Sequence, residues 1–342
     1  GWRPIFLILI GLSSIIVVWV GGQLVVEGAI TIGNIAEYII YVTMMTWPVA
    51  SMGFVITMIQ RASASMSRLA VIFDTEPAIQ DTADTNPHIK DIQGGIAFEG
   101  VGFRYTDGGP WVLKDVNFAV EPGQTLAIVG RTGSGKTPLI DMIGRLLDPT
   151  EGRVLMDGTD IRQIAVQTLR TSIGYVPQDV FLFSDTVANN IAFGKLDADR
   201  EAIEQAAREA ELLDNITDFP EGFETFVGER GITLSGGQKQ RSSIARALIR
   251  RPRILILDDA LSAVDTNTES KILPHLHAQF GERTIVIVSH RISAVQAADL
   301  ILVLDEGRII EKGNHEQLLE HEGLYADLYQ KQLLEAEIAE LT

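Results

Sequence analysis

The stretch Gly130, Arg131, Thr132, Gly133, Ser134, Gly135, Lys136, Thr137 follows an apolar run at residues 125–129 and precedes a helical pattern of Leu139, Ile140, Ile143, Leu146 and Leu147. Strand, glycine loop and helix, in that order, are the context that a phosphate-binding loop requires. Glycines let the backbone turn successive N–H groups toward one point, where the positive end of the following helix also acts on an anion. Lys136 adds a point charge suited to terminal phosphates. Thr137 offers a hydroxyl to Mg²⁺, a hard cation that takes oxygen ligands and keeps several waters.

The chain has 342 residues, room for two domains, and its composition is split. Residues 1–60 are nearly uncharged, and the remainder is an ordinary soluble mixture. A formal charge of −17 argues against nucleic acid as a partner, because phosphate backbones are gripped by clustered Lys and Arg. With no cysteine there is no disulfide framework, thiolate metal site or cysteine nucleophile.

Residues 4–26 carry no charge and residues 29–60 carry only Glu37. Each segment is long enough to cross a hydrocarbon core of about 30 Å. A hairpin of two membrane helices is expected, with Gly21, Gly22, Gly28 and Gly33 forming the turn. Arg3 before the first segment and Arg61 and Arg68 after the second place both open ends in the cytoplasm. A signal peptide is the competing reading of the first run, but its cleavage would export a nucleotide site to a compartment poor in ATP. Glu37 is expected at the outer interface, and Pro48 removes one helix hydrogen bond. Met44, Met45, Met52, Phe54 and Met58 suit an apolar cavity or, equally, lipid contact and helix packing. The helix is expected to run on through Phe73.

A polar, proline-punctuated linker at residues 76–95 marks a domain boundary. Strand-like residues Ile96, Phe98, Val101 and Phe103 open the soluble domain. Tyr105 follows them and could stack on a base or pack as an edge aromatic. Residues 199–213 pattern as an amphipathic helix. Leu234, Ser235, Gly236, Gly237 and Gln238 form a second glycine-rich turn before a helix, again a helix N-terminus suited to an anion. Residues 254–257 are an apolar strand delivering Asp258 and Asp259, and residues 284–289 are another delivering His290. Strand-end side chains in a parallel sheet sit where ligands bind. Residues 300–304 and 308–310 pattern as a closing hairpin. Buried strands alternating with helices predict an α/β domain with a largely parallel sheet.

Taken together, GRTGSGKT, YVPQ ending at Gln178, LSGGQ at 234–238, ILILD ending at Asp258, SAVD at 262–265 and SHR around His290 resemble an ABC transporter ATPase domain. The membrane hairpin ahead of it resembles the last two helices of an exporter half-transporter of the lipid-flippase and multidrug type. The resemblance covers nearly the whole chain. It implies an α/β P-loop ATPase domain with a helical subdomain, preceded by an all-α transmembrane hairpin. The expected boundaries are 1–75 for the membrane helices and their cytoplasmic extension, 76–95 for the linker, 96–330 for the ATPase and 331–342 for a helical tail.

By similarity Tyr105 stacks on adenine, and Gly130, Arg131, Thr132, Gly133, Ser134, Gly135, Lys136 and Thr137 wrap the phosphates of ATP. Thr137, Gln178 and Asp258 surround Mg²⁺, and His290 contacts the γ-phosphate. Ser235, Gly236, Gly237 and Gln238 bind the ATP held by a second ABC ATPase domain, in a homodimer or a heterodimer. Asp265 would lie at that interface. Lys136, Asp259 and His290 are the expected catalytic set. The resemblance places the protein as a multi-pass component of the cell membrane with its ATPase domain in the cytoplasm.

Two positions depart from the family pattern. Asp259 stands where efficient hydrolytic members have glutamate as general base, and base placement is worth about 10²–10⁴-fold in rate. Pro138 stands where a hydroxyl residue is usual, and its missing N–H implies weaker nucleotide binding. The start at Gly1, inside an apolar run, implies a fragment or split gene product that lacks the remaining transmembrane helices of an exporter. A weakly hydrolytic half of a heterodimer, or a membrane-anchored module that dimerises on ATP without transport, is the alternative function.

Overall fold

The computed structural model describes residues 3–261 and 283–340; SAVD at 262–265, with Asp265, falls outside the described residues. The chain divides into two compact units, Gly1–Ala78 and Ile79–Thr342.

The first unit is a helical hairpin. Helix α1 spans Arg3–Val26 (24 residues) and α2 spans Ile32–Phe73 (42 residues), so the second helix does continue through Pro48 to Phe73. Both are long and apolar enough to cross a membrane, and most of their described apolar side chains from Ile8 onward are exposed rather than packed into a core. The expected glycine turn is narrower than the sequence suggested. Gly21 and Gly22 lie inside α1 and Gly33 inside α2; only Gly28, with φ of 76°, is at the bend. Gly21 instead permits close helix packing, since a Cβ there would sit 2.8 Å from Ile35 Cγ1.

The second unit has two sheets. Strands β1 (Ile96–Phe103), β2 (Leu113–Val120), β4 (Glu151–Met156) and β5 (Thr159–Asp160) form an antiparallel sheet in the order β2-β1-β4-β5. Strands β3 (Thr125–Gly130), β6 (Ile173–Val176), β7 (Ile254–Asp258), β8 (Thr284–Val288), β9 (Leu300–Asp305) and β10 (Arg308–Gly313) form the second, ordered β10-β9-β3-β8-β7-β6. All its pairs are parallel except the closing β9–β10 hairpin.

Period-2 alternation decides what each face of this sheet meets. Ala127, Val129, Leu255, Leu257, Ile285, Ile287, Ile301 and Val303 join one core, with α5 (Val187–Ala192), α6 (Arg200–Glu209), α8 (Gly236–Leu248) and the C-terminal helices. Leu126, Ile128, Ile254, Ile256, Val286, Val288, Leu302 and Leu304 join the other, with α3 (Lys136–Ile143) and the antiparallel sheet. Burial on both faces is why these strands read as unbroken apolar runs.

Three helix ends differ from the sequence pattern. Helix α3 stops at Ile143, because Gly144 caps it and Arg145 takes φ of 48°; Leu146 and Leu147 lie beyond. The amphipathic segment splits at Glu211 (φ 53°) into α6 and α7 (Leu213–Thr217). The terminal helix α10 (Leu324–Glu340) begins well before residue 331; the described residues also form the short α4 (Val166–Thr171) and α9 (His315–Glu320). Residues 81–95 run along the second unit: Asp81 accepts from Val166 N–H at 2.8 Å, and the Asp157 carboxylate accepts the N–H groups of Gln93, Gly94 and Gly95.

Candidate functional site

The glycine loop is held open by backbone that only glycine adopts without strain. Gly130, Gly133 and Gly135 have φ of 155°, 83° and 104°. A Cβ on Gly130 would collide with the Leu304 carbonyl oxygen, and one on Gly135 would lie 2.8 Å from Leu113 Cδ2. At Gly133 the same atom would meet open space, so the loop's crown is clear. The loop is tied down from outside: Gly307 N–H donates to Ser134 C=O at 3.1 Å, and Lys114 N–H donates to Gly307 C=O at 2.8 Å.

Lys136, the first residue of α3, is buried and curls back so that Nζ donates to the carbonyls of Gly130 and Arg131, each at 2.9 Å. Burial lowers its pKa, while Asp258 and Asp259 pull it back up. Ser134 Oγ is buried with no hydrogen-bond partner. Thr137 is exposed at the loop's edge. Pro138 occupies the first turn of α3, where its missing N–H breaks no helical bond.

Asp258 ends β7 and is 6 % exposed. Burial raises its pKa; Tyr175 opposes by donating its hydroxyl at 3.4 Å, Asp259 reinforces the rise, and Lys136 and His290 oppose it. Burial likewise raises Asp141 on α3, with Asp258 adding to the effect. The sequence pattern missed Tyr175 and Asp141. Tyr175 pairs in register with Ile256, the strand neighbour on the same face as Asp258, so parallel pairing of the two runs was the signal.

Asp259 follows with φ of 47°, its N–H donating to Val288 C=O at 2.8 Å. Left-handed backbone suits aspartate better than most residues. His290, just beyond β8, is exposed, and its carbonyl accepts from Gln332 Nε2 at 2.6 Å. Gln178 is exposed beyond β6, and Tyr105 is exposed beyond β1, edge-on to Phe103 with ring centroids 4.9 Å apart.

The Ser235–Gln238 turn starts α8 with a capping box. Gln238 Oε1 accepts Ser235 N–H at 2.9 Å, and Gln238 N–H donates to Ser235 Oγ at 3.3 Å. Ser235 and Gly236 are exposed and Gly237 is half-buried, while the side chains of both Ser235 and Gln238 are turned to the helix end by the capping box.

These residues fit a nucleotide triphosphate with Mg²⁺. The glycine crown has space, the orphaned Ser134 hydroxyl and the Lys136 ammonium supply donors, and Asp258 is a buried carboxylate beside them. Among the described residues no group of three or more His, Cys, Asp or Glu could hold a metal alone. Mg²⁺ does not need one, since it binds through one or two protein oxygens plus phosphates and water.

The profile of the family described as ABC transporter matches residues 113–262. The chain is 43 % identical over 333 residues to a probable multidrug resistance ABC transporter ATP-binding/permease protein of Bacillus subtilis (strain 168), covering 97 % of this chain and 57 % of that one. It is 40 % identical to an ATP-dependent lipid A-core flippase of Hahella chejuensis, covering 98 % and 57 %. Among solved structures, a bacterial Atm1-family ABC exporter with ATP bound superposes with a TM-score of 0.84 at 36 % identity, covering 96 % of this chain and 57 % of that one. The chain thus spans little more than half the length of these relatives.

Proposed function

The chain belongs to the ABC transporter family, and from that premise we propose that it is the ATP-binding and ATP-hydrolysing portion of an exporter that moves a lipid, drug or other amphipathic substrate across a membrane. The observation that carries this reading is the meeting of the glycine loop, Lys136 and the strand-end Asp258 in one electrostatic cluster.

Each residue then has a definite task. The loop N–H groups of residues 131–136 and Lys136 Nζ bind the phosphates; Nζ has three N–H donors, two of them on the carbonyls of Gly130 and Arg131, which leaves the third for a phosphate. Thr137, Gln178 and Asp258 would hold Mg²⁺ directly or through water, and when bound it would draw charge from the phosphates. Tyr105 offers an exposed ring for the adenine. Asp259 orients the attacking water and takes its proton, and His290 reaches the γ-phosphate. Fixed donors aimed at developing charge supply most of the rate. Ser235, Gly236 and Gly237 bind the nucleotide of a second ATPase domain, so ATP closes a dimer and hydrolysis releases it. The α1–α2 hairpin spans the membrane, with the ATPase unit in the cytoplasm.

ATP turnover by the purified protein in lipid tests this reading. Lys136→Ala is expected to abolish it, and turnover unchanged by that substitution would refute the assignment. A second reading, the weakly hydrolytic half of a heterodimer, is favoured by Asp259 alone. Purification of a distinct partner chain whose ATPase site carries the measured turnover would establish it.

A further inference from the structure

The C-terminal helix α10 is docked by contacts that fix its rotation. At its start the Glu311 carboxylate of β10 accepts Leu324 N–H at 2.6 Å and Tyr325 N–H at 3.3 Å, a favourable charge at a helix N-terminus. Tyr325 is fully buried, and its hydroxyl meets His315 Nδ1 at 2.7 Å. Leu328 and Tyr329 pack against the same core. Residues at i, i+3, i+4 and i+7 share one helix face, so this face continues to Gln332.

Gln332 reaches the loop that carries His290. Its Nε2 donates to His290 C=O at 2.6 Å, and its Oε1 accepts Ile292 N–H at 2.8 Å. One side-chain amide therefore satisfies a carbonyl and an N–H two residues apart, as a neighbouring strand would. Below it the loop is held by Ser289, whose N–H donates to Ile128 C=O at 3.4 Å and whose Oγ accepts Arg291 N–H at 2.9 Å. Ile292 is anchored in the core, but exposed His290 is steadied on its carbonyl side by Gln332.

We propose that Gln332 is the positioning residue for His290, and that the terminal helix is thereby a working part of the ATPase site rather than a tail. The proposal rests on the reading of His290 as the γ-phosphate contact. A loop free to drift would bring the imidazole to its place less often, while the glycine loop and Lys136 would still grip the nucleotide. The loss then falls on kcat and spares binding.

The test measures kcat, KM and equilibrium binding of ATP for the purified protein and its Gln332→Met, Gln332→Glu, His290→Ala and His290→Ala/Gln332→Met variants. Methionine keeps the length and apolar stem but has no amide; glutamate keeps the acceptor for Ile292 N–H and loses the donor to His290. Both Gln332 variants are expected to lower kcat about three- to tenfold, with KM and binding within about twofold of the parent. His290→Ala is expected to lower kcat further, and adding Gln332→Met to it to cost nothing more, the non-additivity of two groups acting as one. Parental kcat in both Gln332 variants beside an impaired His290→Ala overturns the proposal and leaves the His290 reading intact. Parental kcat in His290→Ala overturns both. Losses that multiply in the double variant, or binding that falls with kcat, show Gln332 supporting the fold alone and overturn the proposal as well.

Discussion

The Tyr175 hydroxyl donates to the Asp258 carboxylate at 3.4 Å, from one strand of a parallel pair to the end of its neighbour. It is one of the few groups favouring the ionised form of a carboxyl that burial pushes toward protonation. Tyr175→Phe removes that donor and leaves the ring's packing. The bond is long, so its loss is expected to cost about 0.4–1 kcal/mol, below the roughly 1.5–3 kcal/mol typical of hydrogen bonds to charged groups. The Mg²⁺ concentration giving half-maximal ATP turnover is expected to rise about two- to fivefold, with maximal turnover largely recovered at saturating Mg²⁺. An unchanged Mg²⁺ titration would show that Tyr175 does not tune this carboxylate.

Asp258 also links the site to stability. The folded protein holds its proton more tightly than the unfolded chain does, so the ionised carboxylate is a penalty on folding. That penalty is full above the raised folded-state value and shrinks as pH falls through it toward the ordinary carboxylate range. Asp258→Asn is therefore expected to raise the thermal midpoint near pH 8 by roughly 2–4 °C, corresponding to about 1 kcal/mol, while removing turnover. The gap between the two proteins, measured without nucleotide or Mg²⁺, should narrow on acidification. A gap that widens as pH falls has the wrong sign for this account.

Most of the second unit was legible because both-face burial writes a plain signal. Residues 254–257 and 284–288 are unbroken apolar runs, and the glycines of the phosphate loop stand where φ is positive. What was not legible depends on contacts between distant segments. Gly21 patterned as a turn residue because small residues serve both turns and close helix packing, and only the position of Ile35 separates the two. Gln332 is one polar residue on a helix of mixed character, and nothing local marks its reach to His290. The end of α3 was missed because Leu146 and Leu147 continue an apolar spacing that the backbone at Arg145 breaks.

The loop glycines separate folding from binding. Alanine at Gly130 would force its Cβ into the Leu304 carbonyl, against the neighbouring strand β9, and something in the sheet must shift. Gly130→Ala is expected to destabilise the protein by about 2–4 kcal/mol. Gly133→Ala meets no neighbour and faces only the backbone cost of φ at 83°, about 1–2 kcal/mol. The second variant should remain folded by thermal denaturation while binding ATP more weakly, because its methyl group occupies the crown of the loop. Equal destabilisation of the two would contradict this division.

Gln238 can be divided in the same way. Its side chain completes the capping box with Ser235, and glutamate completes such a box equally well. Gln238→Glu is expected to keep the parental thermal midpoint, whereas Ser235→Ala loses the cap at a cost of about 1 kcal/mol. The added carboxylate nevertheless stands at the helix end proposed to meet a partner's nucleotide. ATP-dependent dimerisation, followed by light scattering, should weaken as like charges approach. Full dimerisation by Gln238→Glu would remove this end of α8 from the nucleotide contact.

Asp259 is the sharpest disagreement with the family pattern, and its backbone adds a condition to any repair. Its φ of 47° lies in the left-handed region, which aspartate tolerates better than glutamate, and its N–H is bound to Val288 C=O at 2.8 Å. The hydrogen bond involves only main chain and survives substitution. A longer side chain would carry the carboxylate one methylene further toward the water that Asp259 is proposed to orient. Charge stabilisation by Lys136 and the loop N–H groups is untouched, so base placement acts on turnover more than on binding. Asp259→Glu is expected to raise ATP turnover at least several-fold, toward the low end of the roughly 10²–10⁴ range for a general base, with ATP affinity within about twofold of the parent. The left-handed backbone should cost a few tenths of a kcal/mol to about 1 kcal/mol, seen as a slightly lower thermal midpoint. Turnover that stays flat or falls while binding and folding are intact would show that a short base does not limit this site.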